Sequence, residues 1–254
     1  MKTTAIIQAR LTSTRLQGKV LMDLEGVPLL SRLYDRVLRA RTLEQVALAI
    51  PETASNDPLA EFCSKAGMLF FRGSENDVLD RFYLTAKKFD ADPVVRITAD
   101  CPLIDADVID RVVSDYKSGG ADYVSNTLRL TFPDGLDTEV MSFHALGQAY
   151  EEARLSSERE HVTPYIWKHP ELFRTRSILN DRDLSALRWT VDEPRDFEFV
   201  LAVYQEFGNR YFGMREVLQL IDRRPELAVV NRGIPTNAGY AKSLAEDRIL
   251  ADKK

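Results

Sequence analysis

A chain of 254 residues is long enough for one α/β domain with a small appendage, and its 34 basic and 39 acidic side chains leave a formal net charge of −5. That mild acidity argues against general nucleic-acid binding, which needs a basic field, and no stretch approaches the 18 apolar residues that would suggest a membrane span. Two distant cysteines, Cys63 and Cys101, fit neither a disulfide framework nor a zinc site, and the N-terminus lacks a long apolar leader, so a cytoplasmic enzyme or binding protein is expected.

In chain order, residues 4–8 around Ala5-Ile6-Ile7 predict a short buried strand. A loop follows that holds Arg10, Arg15, Gly18 and Lys19, with no acidic side chain until Asp23. Over 28–40, Leu29, Leu30, Leu33, Val37 and Leu38 recur at helical spacing, with Pro28 suited to the first turn. Arg32, Arg36 and Arg39 fall on the other face and are expected in solvent. QVALAI (45–50) predicts a second strand. A helix over 55–67 follows, with Pro58 near its start and Gly67 at its end. MLFFRG (68–73) is a third strand, and 74–89 a helix whose Ser74 and Asp77 can cap its start. PVVRIT (93–98) is a fourth strand. A helix starting at Asp105, an N-cap type, then runs to Gly119-Gly120.

This strict alternation predicts a mainly parallel sheet covered by helices on both faces, with right-handed crossovers and ligands outside the carboxyl ends of the strands. The second half is less regular. It reads as short strands around the turn at Pro133-Asp134-Gly135, a helix over 143–154, a strand-like run at 187–191 with an amphipathic helix after Pro194, and a helix over 212–222. The expected architecture is a three-layer α/β domain plus a small antiparallel flap.

The opening loop lies where such a fold binds its ligand. Thr12, Ser13, Thr14 and Gly18 are small enough to turn backbone N–H groups toward an anion. Arg10 and Arg15 can grip phosphate oxygens in pairs, and Lys19 adds a mobile point charge. The alternative is a solvated loop whose cations pair with acids elsewhere. Neither G-x-x-x-x-G-K-[ST] nor G-x-G-x-x-G occurs, so the ordinary NTPase and dehydrogenase readings drop out. Asp100 follows the fourth strand on the ligand side, although a cap on the turn at Pro102 would also place it there. Cys101 is expected to pack. Asp137 and Glu139 alternate and so share a face of a short strand, toward either a ligand or solvent.

The stretch IIQARLTSTRLQGKVL resembles the first motif of the sugar-acid cytidylyltransferases, which activate 3-deoxy-manno-octulosonate and sialic-type acids. The chain as a whole is most similar to their spore-coat polysaccharide branch, the SpsF family. FRGSENDVLDRFY, RITADCPLID, FPDGLDTEVMS, EREHVTPYIWKHPELF and RWTVDEPRDFEFV support this in order, to about residue 200. Gln17 stands where that family usually has Pro.

The resemblance implies the nucleotide-diphospho-sugar transferase fold, of the GT-A-like type. It also implies CTP and a sugar as substrates, Mg²⁺ as cofactor, and a homodimer. Arg10, Arg15, Lys19 and Asp100 would be catalytic, and Asp100 and Asp192 the metal ligands, with Asp196 starting the helix behind them. Ala9, Arg10, Thr12, Ser13, Arg15, Lys19, Arg72, Ser74 and Asp77 would face the nucleotide, although helix capping explains Ser74 and Asp77 equally well. Asp134, Asp137, Glu139 and His161 would face the sugar, or Asp137 would join the metal shell. Tyr165 and Trp167 are expected in packing or at a dimer contact. Residues 237–243 could fold back over the site. On this reading residues 1–254 form one domain, with a nucleotide half (1–120), a sugar-binding and dimerisation part (121–210) and a helical tail (211–254). The reaction would be CMP transfer to an acidic sugar for surface-glycan synthesis. The alternatives are transfer with another base or acceptor, a nucleotide-sugar glycosyltransferase, and a non-catalytic nucleotide-binding protein.

Overall fold

The computed structural model describes residues 1–250. Its first half follows the predicted alternation: β1 (Lys2–Gln8), α1 (Leu29–Val37), β2 (Gln45–Pro51), α2 (Asp57–Lys65), β3 (Leu69–Gly73), α3 (Val78–Lys88), β4 (Ala91–Thr98) and α4 (Ala106–Lys117). The four strands pair in parallel in the order β3-β2-β1-β4. Strands covered on both faces need apolar side chains of both parities. In β1, Ala5 and Ile7 enter one core with α1, α2 and α4, while Ile6 enters a second core with α3.

The second half adds the expected antiparallel part, which joins the same sheet. It supplies β5 (Tyr123–Ser125), β6 (Glu139–Met141), α5 (Phe143–Glu152), α6 (Ser156–His161), α7 (Pro164–Lys168) and β7 (Thr175–Ser177), followed by α8 (Pro194–Phe207), α9 (Met214–Arg223) and α10 (Ala238–Ala245). β6 runs antiparallel between β4 and β5, and β7 pairs parallel to β5, completing seven strands. Helices α8 and α9 join the first core; α5 and α7 close the second.

Local chemistry fixes the helix starts. Asp77 accepts from the Asp80 N–H, Asp105 from the Asp107 and Val108 N–H groups, and Ser142 from the Ala145 N–H. Each satisfies donors that the first turn leaves unpaired. Arg36 departs from expectation. It is buried, with Nε donating to the Ile104 carbonyl at 2.6 Å and its guanidinium over the Phe212 ring. The loop after β4 covers this side of α1 and offers carbonyl oxygens, so a cation on the supposed solvent face becomes a tie between two elements. No helix among the described residues is long and apolar enough to cross a membrane.

Candidate active site

The carboxyl ends of β1 and β4 are adjacent, and the chain leaving each one carries the charged groups. After Gln8 the loop folds back on itself: the Gly18 N–H donates to the Leu11 carbonyl at 3.0 Å, with Gly18 at φ 69°, in the left-handed region glycine adopts readily. A 3₁₀ turn over Lys19–Leu21 then buries Lys19 and Val20. The Lys19 ammonium is thereby aimed inward and donates to three oxygens: Asp100 Oδ2 at 2.9 Å, Asp192 Oδ1 at 2.8 Å and the Val191 carbonyl at 2.7 Å. Arg15 reaches the same Asp192 oxygen at 2.9 Å.

Asp192 arrives from far along the chain because two irregular segments pack against the end of β4. The Val191 N–H donates to the Asp100 carbonyl, and the Trp189 N–H donates to the Asp134 carbonyl. Gly135 permits this approach. Its φ is +110°, and a Cβ there would lie 2.6 Å from the Thr190 nitrogen. Arg188 then binds three carboxylates: Asp134 at 2.7 Å, Asp192 at 3.0 Å and the buried Asp196 at 2.9 Å. Asp196 also accepts from the Asp192 and Glu193 N–H groups, as expected of a residue that starts α8.

These charges set one another's titration. Burial alone would lower the Lys19 ammonium, but Asp100 and Asp192 outweigh it and raise its pKa. Burial would raise Asp100, but the Lys19 charge and hydrogen bonds hold it well below the usual carboxylate range. Burial together with the neighbouring carboxylates Asp134, Glu139 and Asp100 pushes Asp137 up to about 8. Asp134 rises to about 6 by burial, despite Arg188. Burial, then Arg96, lowers His161 to about 4, so its ring is neutral near pH 7.

One cleft of about 930 Å³ gathers most of the expected site: Ala9, Arg10, Ser13, Arg15, Lys19, Asp100, Asp134, Asp137, Glu139, His161 and Asp192 all line it. Four expected nucleotide residues do not. Thr12 donates its hydroxyl to Glu75. Arg72 is held by Asp57 at 2.7 Å and by the Pro51 and Thr53 carbonyls, which satisfies its guanidinium away from the cleft. Ser74 accepts from the Asp77 N–H, and Asp77 caps α3 and pairs with Arg159 at 2.6 Å. For Ser74 and Asp77 the capping alternative therefore describes the structure. Two expected sugar contacts are already engaged: Asp134 by Arg188, and Glu139 by Arg96 and by the Tyr123 hydroxyl at 2.6 Å. Asp137 has no hydrogen bond or ion pair among the described residues. Trp167, expected in packing or a dimer contact, lines the cleft.

Sequence reasoning missed Arg81 and Arg188 and left open which face of the fourth strand Arg96 takes; all three line the cleft. Arg81 is buried, and that burial with the nearby Arg10 charge lowers it to about 10. The available signal was spacing: Arg188 lies four residues before Asp192, and Arg81 four after Asp77.

Among the described residues no group of three or more His, Cys, Asp or Glu converges as a metal cage. What does converge is the pair Asp100 and Asp192, on one ammonium nitrogen. Two hard oxygen donors facing one cation fit Mg²⁺, which takes one or two carboxylates and fills its remaining positions with water and phosphate.

A family model described as cytidylyltransferase matches residues 4–223. The spore coat polysaccharide biosynthesis protein SpsF of Bacillus subtilis is 34% identical over 231 residues, 88% of this chain and 95% of that protein. The 3-deoxy-manno-octulosonate cytidylyltransferase of Geotalea daltonii is 35% identical over 114 residues, 45% of this chain and 44% of that one. Among solved structures, a cytidylyltransferase from Leptospira borgpetersenii is similar with a TM-score of 0.86 at 32% identity, covering 92% of this chain and 99% of that chain.

Proposed function

The chain belongs to the cytidylyltransferase family and is a CTP-dependent nucleotidyltransferase, and on that premise we propose that it transfers CMP to a hydroxyl of an acidic, sialic-like sugar for surface-polysaccharide synthesis. The observation that supports this most is the Lys19 ammonium held between Asp100 and Asp192 in a cleft that also receives Arg10 and Arg15. Four cations and two carboxylates, counting Arg188, suit a triphosphate that arrives with its own counter-ion.

In the proposed reaction the acceptor oxygen bonds to the α-phosphorus, the bond from that phosphorus to the bridging oxygen breaks, and pyrophosphate leaves with the electron pair. The acceptor hydroxyl gives up its proton to solvent water. The protein's part is positioning and charge stabilisation. Arg10 and Arg15 take phosphate oxygens through paired N–H donors. Lys19, on a flexible stem, can exchange a carboxylate oxygen for a phosphate oxygen. Arg188 keeps Asp192 oriented through its second oxygen, while Asp137 offers an unengaged carboxyl to acceptor hydroxyls. Asp100 and Asp192 would hold Mg²⁺, which when bound neutralises phosphate charge and acidifies the attacking hydroxyl.

The test is pyrophosphate release from CTP with Mg²⁺ and either 3-deoxy-manno-octulosonate or N-acetylneuraminate. Asp100→Asn and Asp192→Asn are expected to lower kcat/KM by about 100-fold or more. Wild-type turnover by Asp100→Asn would remove the metal assignment, and turnover confined to neutral sugars would remove the acidic acceptor. A homodimer, suggested by family likeness, belongs to the same proposal; light scattering should then give twice the chain mass of 28.9 kDa.

A further inference from the structure

The family match ends at residue 223, yet chain beyond it helps to build the cleft. Residues 237–240, 242, 243 and 246, on and around α10, supply one wall. The segment is firmly anchored. The Asp247 carboxylate accepts from the Ser156 hydroxyl at 3.0 Å, the Ser157 N–H at 3.0 Å and the Ser157 hydroxyl at 2.8 Å. Backbone bonds join Ser156 to Arg248 and Leu250 to Arg154. So held, α10 places the Ser243 hydroxyl 2.9 Å from His161 Nε2 and 2.7 Å from Glu160 Oε2. The Tyr240 ring stands edge-on to His161, with centroids 5.0 Å apart, and to Trp167 at 6.0 Å.

Two features of this wall point to a ligand. The Tyr240 hydroxyl is buried without a hydrogen-bond partner, whereas buried tyrosine hydroxyls ordinarily find one. An unpaired hydroxyl beside a cleft is satisfied when the ligand supplies the partner. The wall's chemistry also differs from that of the β1 loop. Glu160 and the Lys242–Glu246 pair leave this wall without the surplus positive charge a triphosphate needs, while Ser243, a neutral His161 and two aromatic rings suit a polyhydroxylated molecule with apolar ring faces.

We propose that residues 237–246 form an acceptor-specificity element, in which the unpaired Tyr240 hydroxyl bonds a sugar hydroxyl remote from the reacting one and Ser243 Oγ, whose own proton is held by Glu160 and the Gly239 carbonyl, accepts from another. The inference rests on the CMP-transfer reading above and adds the segment that selects the acceptor. Loss of one neutral hydrogen bond costs about 1 kcal/mol, or about fivefold in affinity.

The experiment compares wild type with Tyr240→Phe and Ser243→Ala, both on a surface helix where the fold tolerates them. Pyrophosphate release is measured across 3-deoxy-manno-octulosonate, N-acetylneuraminate and N-acetylglucosamine, and the thermal shift given by CTP with Mg²⁺ is measured alongside. The expected result is an acceptor KM raised about 5- to 10-fold in each variant, with the KM for CTP and the CTP-induced shift at wild-type values. An unchanged acceptor KM in both variants overturns the proposal. So does a weakened CTP shift, which would assign the wall to the nucleotide. Turnover with N-acetylglucosamine alone would sink the acidic-acceptor reading, and the same variants read on that sugar would still decide the role of the segment.

Discussion

Asp137 is buried beside Asp134, Glu139 and Asp100, so ionising it in the fold costs more than in the unfolded chain. A carboxyl raised to about 8 from its ordinary value near 3.9 contributes stability that is complete below about pH 3.9 and lost as pH rises through about 8. Asp134, raised to about 6, adds to the same slope. Asp100 works in the opposite sense, but its contribution is lost only in more acid solution, below the ordinary carboxylate value. His161, held neutral, works against this fall up to its ordinary value near 6.5, so with chelator present Tm is expected to fall between pH 6.5 and 8.5, and Asp137→Asn to flatten that fall and melt higher than wild type at pH 8.5. Parallel pH profiles for the two proteins would refute the assignment. Arg188 carries the converse risk. Replacing it with Met strands Asp196 as an unpaired buried charge, which costs about 3–5 kcal/mol and should lower the urea midpoint sharply. Arg10, Arg15, Lys19 and Asp100 could be placed at the cleft from the sequence because each sits at a strand end or in a cationic loop beside an apolar run, whereas Asp192 was suggested by family resemblance alone. Arg188 was harder to read, since its spacing to Asp192 and Asp196 is a weak signal and Asp134 reaches it only through the fold. Arg72 was misplaced for the same reason: nothing local announces that Asp57 will hold it.

The segments 132–137 and 187–192 are short, irregular and responsible for carrying Asp192 to β4. Their closeness depends on Gly135, where a side chain would strain the backbone at φ +110° and push into the Thr190 nitrogen and the Trp189 carbonyl carbon. Gly135→Ala should cost about 2 kcal/mol or more, and it should lower kcat through displacement of Asp192. Equilibrium denaturation with parallel kinetics checks this, and a variant with wild-type midpoint and kcat would show that the segments yield without consequence. The four parallel strands were legible because doubly covered strands are continuous apolar runs, punctuated by glycine or proline. The strands of the second half were not. β5, β6 and β7 have three residues each, too few to display a period, and their place in the sheet is set by pairing with β4 and with one another. The expected antiparallel part is thus continuous with the main sheet. The fold back over the cleft by residues 237–243 could be guessed, but its anchor at Asp247 depends on a contact across 90 residues.

Taken whole, the chain is acidic, yet its cleft interleaves Arg10, Arg15, Lys19, Arg81, Arg96 and Arg188 with Asp100, Asp134, Asp137, Glu139 and Asp192. Without ligand, Lys19 and Arg15 are spent on Asp192, and Lys19 also on Asp100. A bare triphosphate must win these cations from the two carboxylates and would leave Asp100 uncompensated and Asp192 with Arg188 alone. A triphosphate accompanied by a divalent ion replaces both partners at once: phosphate for the cations, metal for the carboxylates. CTP and Mg²⁺ should therefore stabilise the protein together far more than the sum of their separate effects. At 100 times Kd a ligand adds about 2.7 kcal/mol. For a chain of this length that is a rise of roughly 5–10 °C in Tm. With CTP and chelator the rise should shrink to a small fraction of this, and with Mg²⁺ alone it should be near zero, because Lys19 already occupies the carboxylate pair. Lys19→Met is expected to invert the last result: freed of the ammonium, Asp100 and Asp192 should bind Mg²⁺ measurably without nucleotide, detectable by calorimetry. Equal shifts from CTP with and without Mg²⁺, together with no metal binding by Lys19→Met, would mean that the cations alone hold the triphosphate and that the two aspartates serve only to position Lys19.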